Sequence, residues 1–253
     1  MTFSIKNGIL HRDRSPVRQM LSPNVSKGWN RKPSIVVMHF TAGGGGAGSA
    51  AWLANSQSAA SAHFVVDRDG SIIQCVSLDD RAWHAGKSNW KGLSGLNSYS
   101  VGIELANWGP LLDGGKTAGG KSVPFVMARH KNDGVLRAWE IYPTEQITAA
   151  EELARAIAAY FPITEIVGHD DIAPGRKLDP GPAFDMGHFR QEVLGDLPTA
   201  TVTAARLNVR SGPGTTYPVV ASLGRGDLVT IEERQREWVR IGTGQWVFGE
   251  YVA

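Results

Sequence analysis

The order of apolar and polar residues predicts strands that alternate with helices over roughly the first three quarters of the chain. Ile35–Phe40 is a β-branched apolar run bounded by Pro33 and a stretch of glycines, which is typical of a buried strand. Residues 100–106 alternate apolar with small or charged residues, as a strand with one apolar face does. Residues 144–161 carry apolar side chains at helical spacing and give the clearest helix signal. This alternation predicts an α/β fold with a central mixed β-sheet flanked by helices.

Shorter signals fill the rest of this region. Residues 63–67 and 71–76, joined by Asp69-Gly70, predict a hairpin. Residues 1–33 are mixed and polar, and we interpret them as a lead-in segment. The other expected elements are a short helix at 49–58 and strands at 124–129, 135–141 and 165–167.

The pattern changes in the last part of the chain. From residue 199 to the C-terminus there is no lysine and no helical periodicity, only short β-rich runs separated by turns such as 211–214 and 224–227. Such a pattern is typical of a small all-β barrel. We therefore expect one domain at 1–195, with its core at about 33–192, and a second at 199–253. The boundary is expected near Gly195–Thr199, where Pro198 helps to break the chain.

Composition limits the possible functions. The chain has 253 residues, of which 42% are hydrophobic and 20% charged, so it has enough apolar material for a packed core. The net charge of +2 is too small for a nucleic-acid-binding surface. The apolar runs are too short to cross a membrane, and the first residues lack the apolar core of a secretory signal. The single cysteine, Cys75, excludes an internal disulfide and a Cys-rich metal site.

A glycine-rich run at 43–48 formally matches the dinucleotide-binding pattern G-x-G-x-x-G. Asp67 and Asp69 follow about 20 residues later, as that fold would require. Any polyglycine run satisfies the pattern, however, and no series of βαβ units follows. We therefore interpret the run as a loop and keep nucleotide binding only as a minor alternative.

Two histidines and a carboxylate are candidates for a metal site. His39 lies near the end of the apolar strand, and the proline-rich segment 168–181 contains His169 and, ten residues later, Asp179. Two imidazoles and one carboxylate leave a fourth position open on tetrahedral zinc, as catalytic zinc sites require. Taken singly, each histidine is more often a hydrogen-bonded structural residue, and the spacing alone leaves both interpretations open.

Four motifs resemble a known family: D-G-x-I-x-Q at 69–74, DRAWHAG at 80–86, N-x-x-S-x-G-I-E at 97–104 and GHDDIAPGRKLDPGPAFD at 168–185. They are similar to the zinc-dependent N-acetylmuramoyl-L-alanine amidases of the type-2 superfamily, and most similar to members that act on 1,6-anhydro-muropeptides in cell-wall recycling. The resemblance covers about residues 33–192, and the last motif is long enough to be highly specific. It implies the family's mixed-sheet fold, zinc as cofactor, and hydrolysis of the amide between N-acetylmuramic acid and L-alanine in peptidoglycan or muropeptides.

The resemblance also implies roles for single residues. The family's zinc ligands fall on His39, His169 and Asp179. Its general base falls on Glu104, and its oxyanion-stabilising residue falls on Lys177. The expected substrate contacts are Trp83, His84, Asn97 and His63.

The chain departs from the family's pattern in two places. Cleft arginines of the anhydro-specific members correspond to Ala59 and Gly95 here, so strict specificity for anhydro sugars is not expected. The insertion around residues 116–140 is longer than in the compact members, and the sequence assigns it no role.

The last domain resembles bacterial SH3-like domains. The resemblance rests on LNVRSGPGxxYPV at 207–219 and on Trp238 and Trp246. It implies a module that binds cell-wall peptides and targets the attached hydrolase. A role in packing or dimerisation is the alternative.

Together these features predict a zinc amidase whose partner is peptidoglycan or a muropeptide, with no nucleic acid and no membrane insertion. The oligomeric state stays open. The alternative from another class is a noncatalytic peptidoglycan-binding or sensing protein, but such members usually lose a zinc ligand. Without a visible signal peptide, we expect the protein to be made in the cytoplasm and to act on the wall after endolysin-like phage release or noncanonical export. Cytoplasmic muropeptide recycling is the competing expectation.

Overall fold

Two units make up the chain, Met1–Val193 and Leu194–Ala253. The structure is a computed structural model that describes residues 3–112, 114–195, 199–231, 233–242 and 245–253. The domain boundary expected at Pro198 lies outside the described residues. The fold class is confirmed: the first unit contains a mixed sheet with helices, and the second is built from short strands.

Five short strands lie between residues 3 and 26, which corrects the interpretation of this region as a lead-in segment. The strands are β1 (Phe3–Lys6), β2 (Ile9–Arg12), β3 (Ser15–Pro16), β4 (Arg18–Gln19) and β5 (Val25–Ser26). The first three form an antiparallel sheet, and β4 joins the edge of the central sheet. These strands are two to four residues long and largely polar, so only their pairing with distant strands identifies them.

The other elements of the first unit follow in chain order. They are β6 (Ile35–Phe40), α1 (Gly46–Leu53), β7 (Phe64–Val66), β8 (Ile72–Gln74), β9 (Arg81–Ala82), β10 (Asn89–Trp90), β11 (Leu93–Ser94), β12 (Ser100–Leu105), β13 (Phe125–Arg129), β14 (Leu136–Glu140), α2 (Thr144–Tyr160), β15 (Glu165–Gly168), α3 (His169–Ile172) and α4 (Met186–Leu194). Single 3-10 turns lie at Ser56–Ser58 and Leu96–Ser98.

The central sheet has the strand order β15-β6-β12-β7-β8-β4. Strands β15, β6, β12 and β7 are parallel to one another, and the expected hairpin gives the antiparallel pair β7–β8. The apolar run that predicted β6 occupies an interior position of the sheet, with Ile35 to Met38 buried. Since β6 and β12 are parallel neighbours, Glu104 is the register partner of His39.

The helix expected at 144–161 is α2, which begins at Thr144 and ends at Tyr160. In its apolar stripe Ala150, Leu153 and Ile157 are fully buried. The Gln146 side chain donates to the carbonyls of Val66 and Ala106 at 3.0 and 3.1 Å. These bonds tie the first turn of α2 to the sheet.

The second unit has its own core. Its strands are β16 (Thr199–Thr201), β17 (Arg206–Arg210), β18 (Val219–Gly224), β19 (Leu228–Thr230), β20 (Glu233–Gln235), β21 (Trp238–Gly242) and β22 (Gln245–Phe248). Five of them form an antiparallel sheet in the order β18-β17-β22-β21-β20, and β16 pairs with β19. Alternate residues, including Leu207, Val209, Val239 and Val247, face one apolar cluster.

Candidate metal centre and catalytic cavity

Three side chains that can bind a metal converge at one end of the central sheet. The Nδ1 atoms of His39 and His169 lie 2.9 Å apart, and each is 2.9 Å from Oδ2 of Asp179. All three residues are buried. The sequence had left open whether these histidines were structural or ligands, and the structure brings all three predicted ligand residues to one point.

The parallel pairing of β6 and β15 explains this convergence. Gly168 at the end of β15 is the register partner of Met38 in β6. The residues that follow them, His169 at the start of α3 and His39 in β6, therefore come to the same edge of the sheet. The backbone N–H of Asp170 donates to the carbonyl of Asp179 at 2.8 Å, which folds the loop back onto α3. A Cβ on Gly168 would lie 2.2 Å from the Asp170 carboxylate, so only glycine fits there.

The donor set suits zinc. Two imidazole nitrogens and one carboxylate oxygen form a mixed set that zinc accepts with a fourth position open. Burial lowers the pKa of His39 to about 4, which keeps its ring neutral as a ligand must be.

Glu104 faces the same centre from the neighbouring strand. Its Oε2 atom is buried and has no hydrogen-bond partner among the described residues. Burial raises the pKa of Glu104 well above its usual range, the charge of Asp179 adds to the rise, and Lys177 opposes it. A buried carboxyl whose pKa is shifted toward neutrality has the properties of a general base.

These groups share one cavity of about 550 Å³ with Lys177, which is half-buried. The glycine-rich run after β6 forms part of its wall. Residues 43–45 are a loop, as expected, whereas residues 46–48 form the first turn of α1. Trp83 and Trp52 contribute exposed aromatic surface, at 38% and 56% exposure. The remaining lining residues are Phe40, Thr41, Ala42, Ser49, Leu53, Ala60, Ser61 and His84.

The four expected substrate contacts lie in different places. Trp83 and His84 line the cavity, but His84 is buried and its Nδ1 is 3.0 Å from Nε2 of His39. The wall of the cavity does not include His63 or Asn97. His63 is fully buried, with Nε2 donating to the Asp80 carbonyl and Nδ1 accepting from a backbone N–H. Substrate contact by His63 or Asn97 therefore stays a prediction.

The sequence gives no indication of one partly buried ion pair beside the cavity. Arg68 lies 2.8 Å from Glu140 and also donates to the carbonyls of Gly43 and Gly44. Glu140 ends β14, so the pair connects the insertion to the glycine loop of the cavity wall. Arg68 follows the hairpin strand β7 without a recognisable motif, so the sequence carried no signal for this contact.

No helix in the described parts of the chain is long and apolar enough to span a membrane.

Comparisons with known proteins find a matching family for each of the two units. A family profile described as N-acetylmuramoyl-L-alanine amidase matches residues 29–182, and a profile described as bacterial SH3 domain matches residues 205–253. The 1,6-anhydro-N-acetylmuramyl-L-alanine amidase AmpD of Salmonella typhimurium is 36% identical over 132 residues, which are 51% of this chain and 55% of that protein. The chain thus spans about half the length of this relative.

Two solved structures have a similar fold. A selenomethionine derivative of AmpD has a TM-score of 0.55 at 28% identity and covers 75% of this chain and 98% of its own. The amidase AmiD from Escherichia coli, in complex with anhydro-N-acetylmuramic acid-L-Ala-D-γ-Glu-L-Lys, has a TM-score of 0.51 at 30% identity. That match covers 78% of this chain and 67% of AmiD.

Proposed function

The chain belongs to the N-acetylmuramoyl-L-alanine amidase family, and on that basis we propose that it hydrolyses the amide between N-acetylmuramic acid and L-alanine in peptidoglycan or muropeptides. The observation that carries the proposal is the convergence of His39, His169 and Asp179 in a cavity that also contains Glu104 and Lys177. A noncatalytic binding protein would have no need of a carboxylate with a buried oxygen that has no hydrogen-bond partner among the described residues, beside three metal-binding side chains.

We propose zinc as the cofactor, held by Nδ1 of His39, Nδ1 of His169 and a carboxylate oxygen of Asp179. Zinc at a site of this kind supplies a Lewis acid that polarises a carbonyl and makes water more acidic. The protein contributes a setting from which water is excluded, because all three donors are buried.

Glu104 is the proposed proton carrier. Its carboxylate takes a proton from the attacking water as the water oxygen bonds to the carbonyl carbon. The same proton then passes to the nitrogen of L-alanine when the carbon–nitrogen bond breaks, so Glu104 ends the cycle as a carboxylate. The buried, unpartnered Oε2 supports this role because no other bond has to be broken for it to accept a proton.

Lys177 is the proposed electrostatic partner of the transition state. Lys177 lines the cavity with Glu104, and its positive charge would stabilise the negative charge that develops on the former carbonyl oxygen. Its position two residues before Asp179 places it on the same loop as a proposed metal ligand.

The substrate class is proposed from the relatives. One relative is named for 1,6-anhydro-N-acetylmuramyl-L-alanine and another is complexed with an anhydro-muropeptide, which supports an N-acetylmuramoyl peptide in this cavity. We propose that residues 1–195 carry catalysis and that the SH3-like domain at 199–253 targets them to the cell wall, where the enzyme acts on the polymer. Recycling of soluble muropeptides is the competing assignment.

The decisive experiment offers zinc-loaded protein two substrates, intact sacculi and soluble anhydro-muropeptides, with products identified by mass spectrometry. We expect free stem peptides beginning with L-alanine, and no such product from a Glu104→Ala variant that still binds zinc. Activity on the soluble substrate alone would overturn action on the polymer. Absence of stem peptide from both substrates would overturn the amidase proposal and favour a binding or sensing protein.

A further inference from the structure

The segment His84–Ala85 contacts both histidines of the candidate metal centre, through the ring of His84 and the backbone carbonyl of Ala85. Nδ1 of His84 is 3.0 Å from Nε2 of His39, and the carbonyl oxygen of Ala85 is 3.1 Å from Nε2 of His169. In both cases the contact is made to the ring nitrogen that faces away from the metal-binding point. Two adjacent residues therefore supply the outer partner of each histidine.

The protonation of the His84 ring follows from its own neighbours. Its Nε2 lies 3.3 Å from both the carbonyl oxygen and the hydroxyl oxygen of Ser100. The Ser100 hydroxyl uses its hydrogen on the carbonyl of Leu96 at 2.6 Å, so both Ser100 oxygens can only accept. His84 consequently carries its hydrogen on Nε2 and has a lone pair on Nδ1. The lone pair on Nδ1 of His84 accepts the hydrogen of Nε2 of His39. Because the neutral His39 ring carries its one hydrogen on Nε2, its Nδ1 has a lone pair available for the proposed metal.

The hydrogen-bond partners of His169 determine in the same way which of its ring nitrogens carries the hydrogen. One terminal nitrogen of Arg176 lies 3.3 Å from Nε2 of His169, but it donates to the carbonyls of Ala85 and Lys87 at 2.8 and 2.7 Å. A terminal guanidinium nitrogen has two hydrogens, and both are used. Nε2 of His169 therefore donates to the Ala85 carbonyl. Nδ1 of His169 consequently has a lone pair that is also available for the proposed metal.

Two further residues hold the segment in place. Oδ1 of Asn97 accepts the backbone N–H groups of both His84 and Ala85, at 3.0 and 2.7 Å. Gly102 provides the room for the His84 ring, because a Cβ there would lie 2.4 Å from Cγ of His84. The segment is thus held through its backbone N–H groups as well as through the rings.

We propose that His84–Ala85 is a shared outer support for both metal-ligating histidines, and that His84 and Asn97 are positioning residues for the metal centre. This inference rests on the zinc site proposed above and replaces substrate contact as the role of these two residues. Outer hydrogen-bond partners orient a ligating imidazole and raise its basicity, and their loss typically weakens metal binding about 10- to 100-fold.

The test measures the zinc dissociation constant by competition with a chromogenic chelator. His84→Ala and Asn97→Ala should bind zinc about 10- to 100-fold more weakly than the wild type. His84→Asn keeps an acceptor near the position of Nδ1, and Asn97→Asp keeps an acceptor for both N–H groups, so each should recover most of the loss. His188→Ala, a substitution of an exposed histidine, is the matched control and should leave zinc affinity unchanged.

A second readout separates positioning from substrate contact. With cobalt in place of zinc, the visible absorption spectrum of His84→Ala and Asn97→Ala should change, while KM for the anhydro-muropeptide at saturating metal should stay within about twofold. Wild-type zinc affinity with a raised KM would overturn the inference and restore substrate contact. If the wild type itself binds no zinc, the proposed metal centre fails, which is a different outcome. Thermal denaturation of the metal-free variants shows whether each is folded. If the alanine variants do not fold, the zinc affinities of His84→Asn and Asn97→Asp decide between positioning and substrate contact.

Discussion

At the scale of single residues, Glu104 shows a conflict between folding and catalysis. A carboxyl group with a buried, unpartnered oxygen disfavours its own ionisation, and Asp179 adds to this through its charge. The folded protein therefore binds the Glu104 proton more tightly than the unfolded chain does. The contribution of Glu104 to stability falls as pH rises from the ordinary range of a glutamate toward its raised folded pKa.

We predict that Glu104→Gln abolishes most hydrolysis and stabilises the metal-free protein. Loss of a general base lowers the rate about 10²- to 10⁴-fold. The neutral amide does not ionise, so chelator-treated Glu104→Gln should melt about 2 to 4 °C above the wild type at pH 8, which corresponds to about 1 kcal/mol. Thermal denaturation at pH 5 and pH 8 checks the sign, because the difference should shrink at the lower pH. An equal difference at both values would show that ionisation of Glu104 is not its cause.

Lys177 should leave a signature in the pH dependence of catalysis. Its positive charge lowers the pKa of Glu104, so Lys177→Met should move the acid limb of kcat/KM to higher pH and also lower its plateau. Lys177→Arg keeps the charge and should leave the limb near its wild-type position. Profiles of kcat/KM against pH for the three proteins make the measurement, and a limb that moves to lower pH in Lys177→Met would contradict the assigned electrostatics.

At the scale of elements, the insertion braces the cavity wall. Glu140 at the end of β14 is buried, pairs with Arg68 and accepts the backbone N–H of Trp108 at 2.6 Å. Arg68 in turn donates to the glycine loop, and the Trp108 ring lies against Gly44, where a Cβ would be 2.9 Å from it. A hairpin with no predicted role thus fixes a loop that lines the active cavity.

We predict that Arg68→Ala raises KM several-fold while zinc affinity stays unchanged. The loop loses two carbonyl contacts, and the buried Glu140 loses its cation, which should lower the free energy of unfolding by about 1–3 kcal/mol. Urea denaturation and steady-state kinetics provide the measurements. Arg137→Ala, which removes an exposed pair with Asp133 on the same hairpin, is the control and should have little effect on either.

Elements with a local signal could be predicted, and those that depend on distant partners could not. The helix α2 is predicted by the helical spacing of its apolar residues, and the hairpin by the turn at Asp69-Gly70 between two apolar runs. Strand β4 is two residues long and is defined by its pairing with β8, so no local pattern marks it. The site shows the same division. Its motif placed His84 near the centre, but only the meeting of its loop with β6 and Ser100 shows which way each ring nitrogen faces.

At the scale of the whole molecule, the two units have separate apolar cores. The cluster around Val209 and Val247 belongs to the second unit, and the cluster around Val37 and Val167 belongs to the first. All cavity residues lie in the first unit. Separate cores allow units to fold independently.

We predict that a fragment ending at Gly195 retains hydrolysis of soluble anhydro-muropeptides within about twofold but loses binding to sacculi. The reason is that the complete cavity lies in the fragment, whereas the proposed wall-binding module does not. Co-sedimentation with sacculi and turnover of the soluble substrate are measured in parallel. A fragment that still sediments with sacculi would assign wall binding to the catalytic unit.

The supports of the metal donors differ in a way that has a consequence for how the centre assembles. His39 belongs to an interior strand of the sheet, whereas His169 and Asp179 belong to α3 and the loop that follows it. His39 is therefore held in position by the sheet whether or not metal is bound. Metal binding should instead stabilise the position of the segment that carries His169 and Asp179. Hydrogen exchange should show the asymmetry: chelation should leave the amides of β6 as slow as before and speed exchange in the segment from 169 to 181.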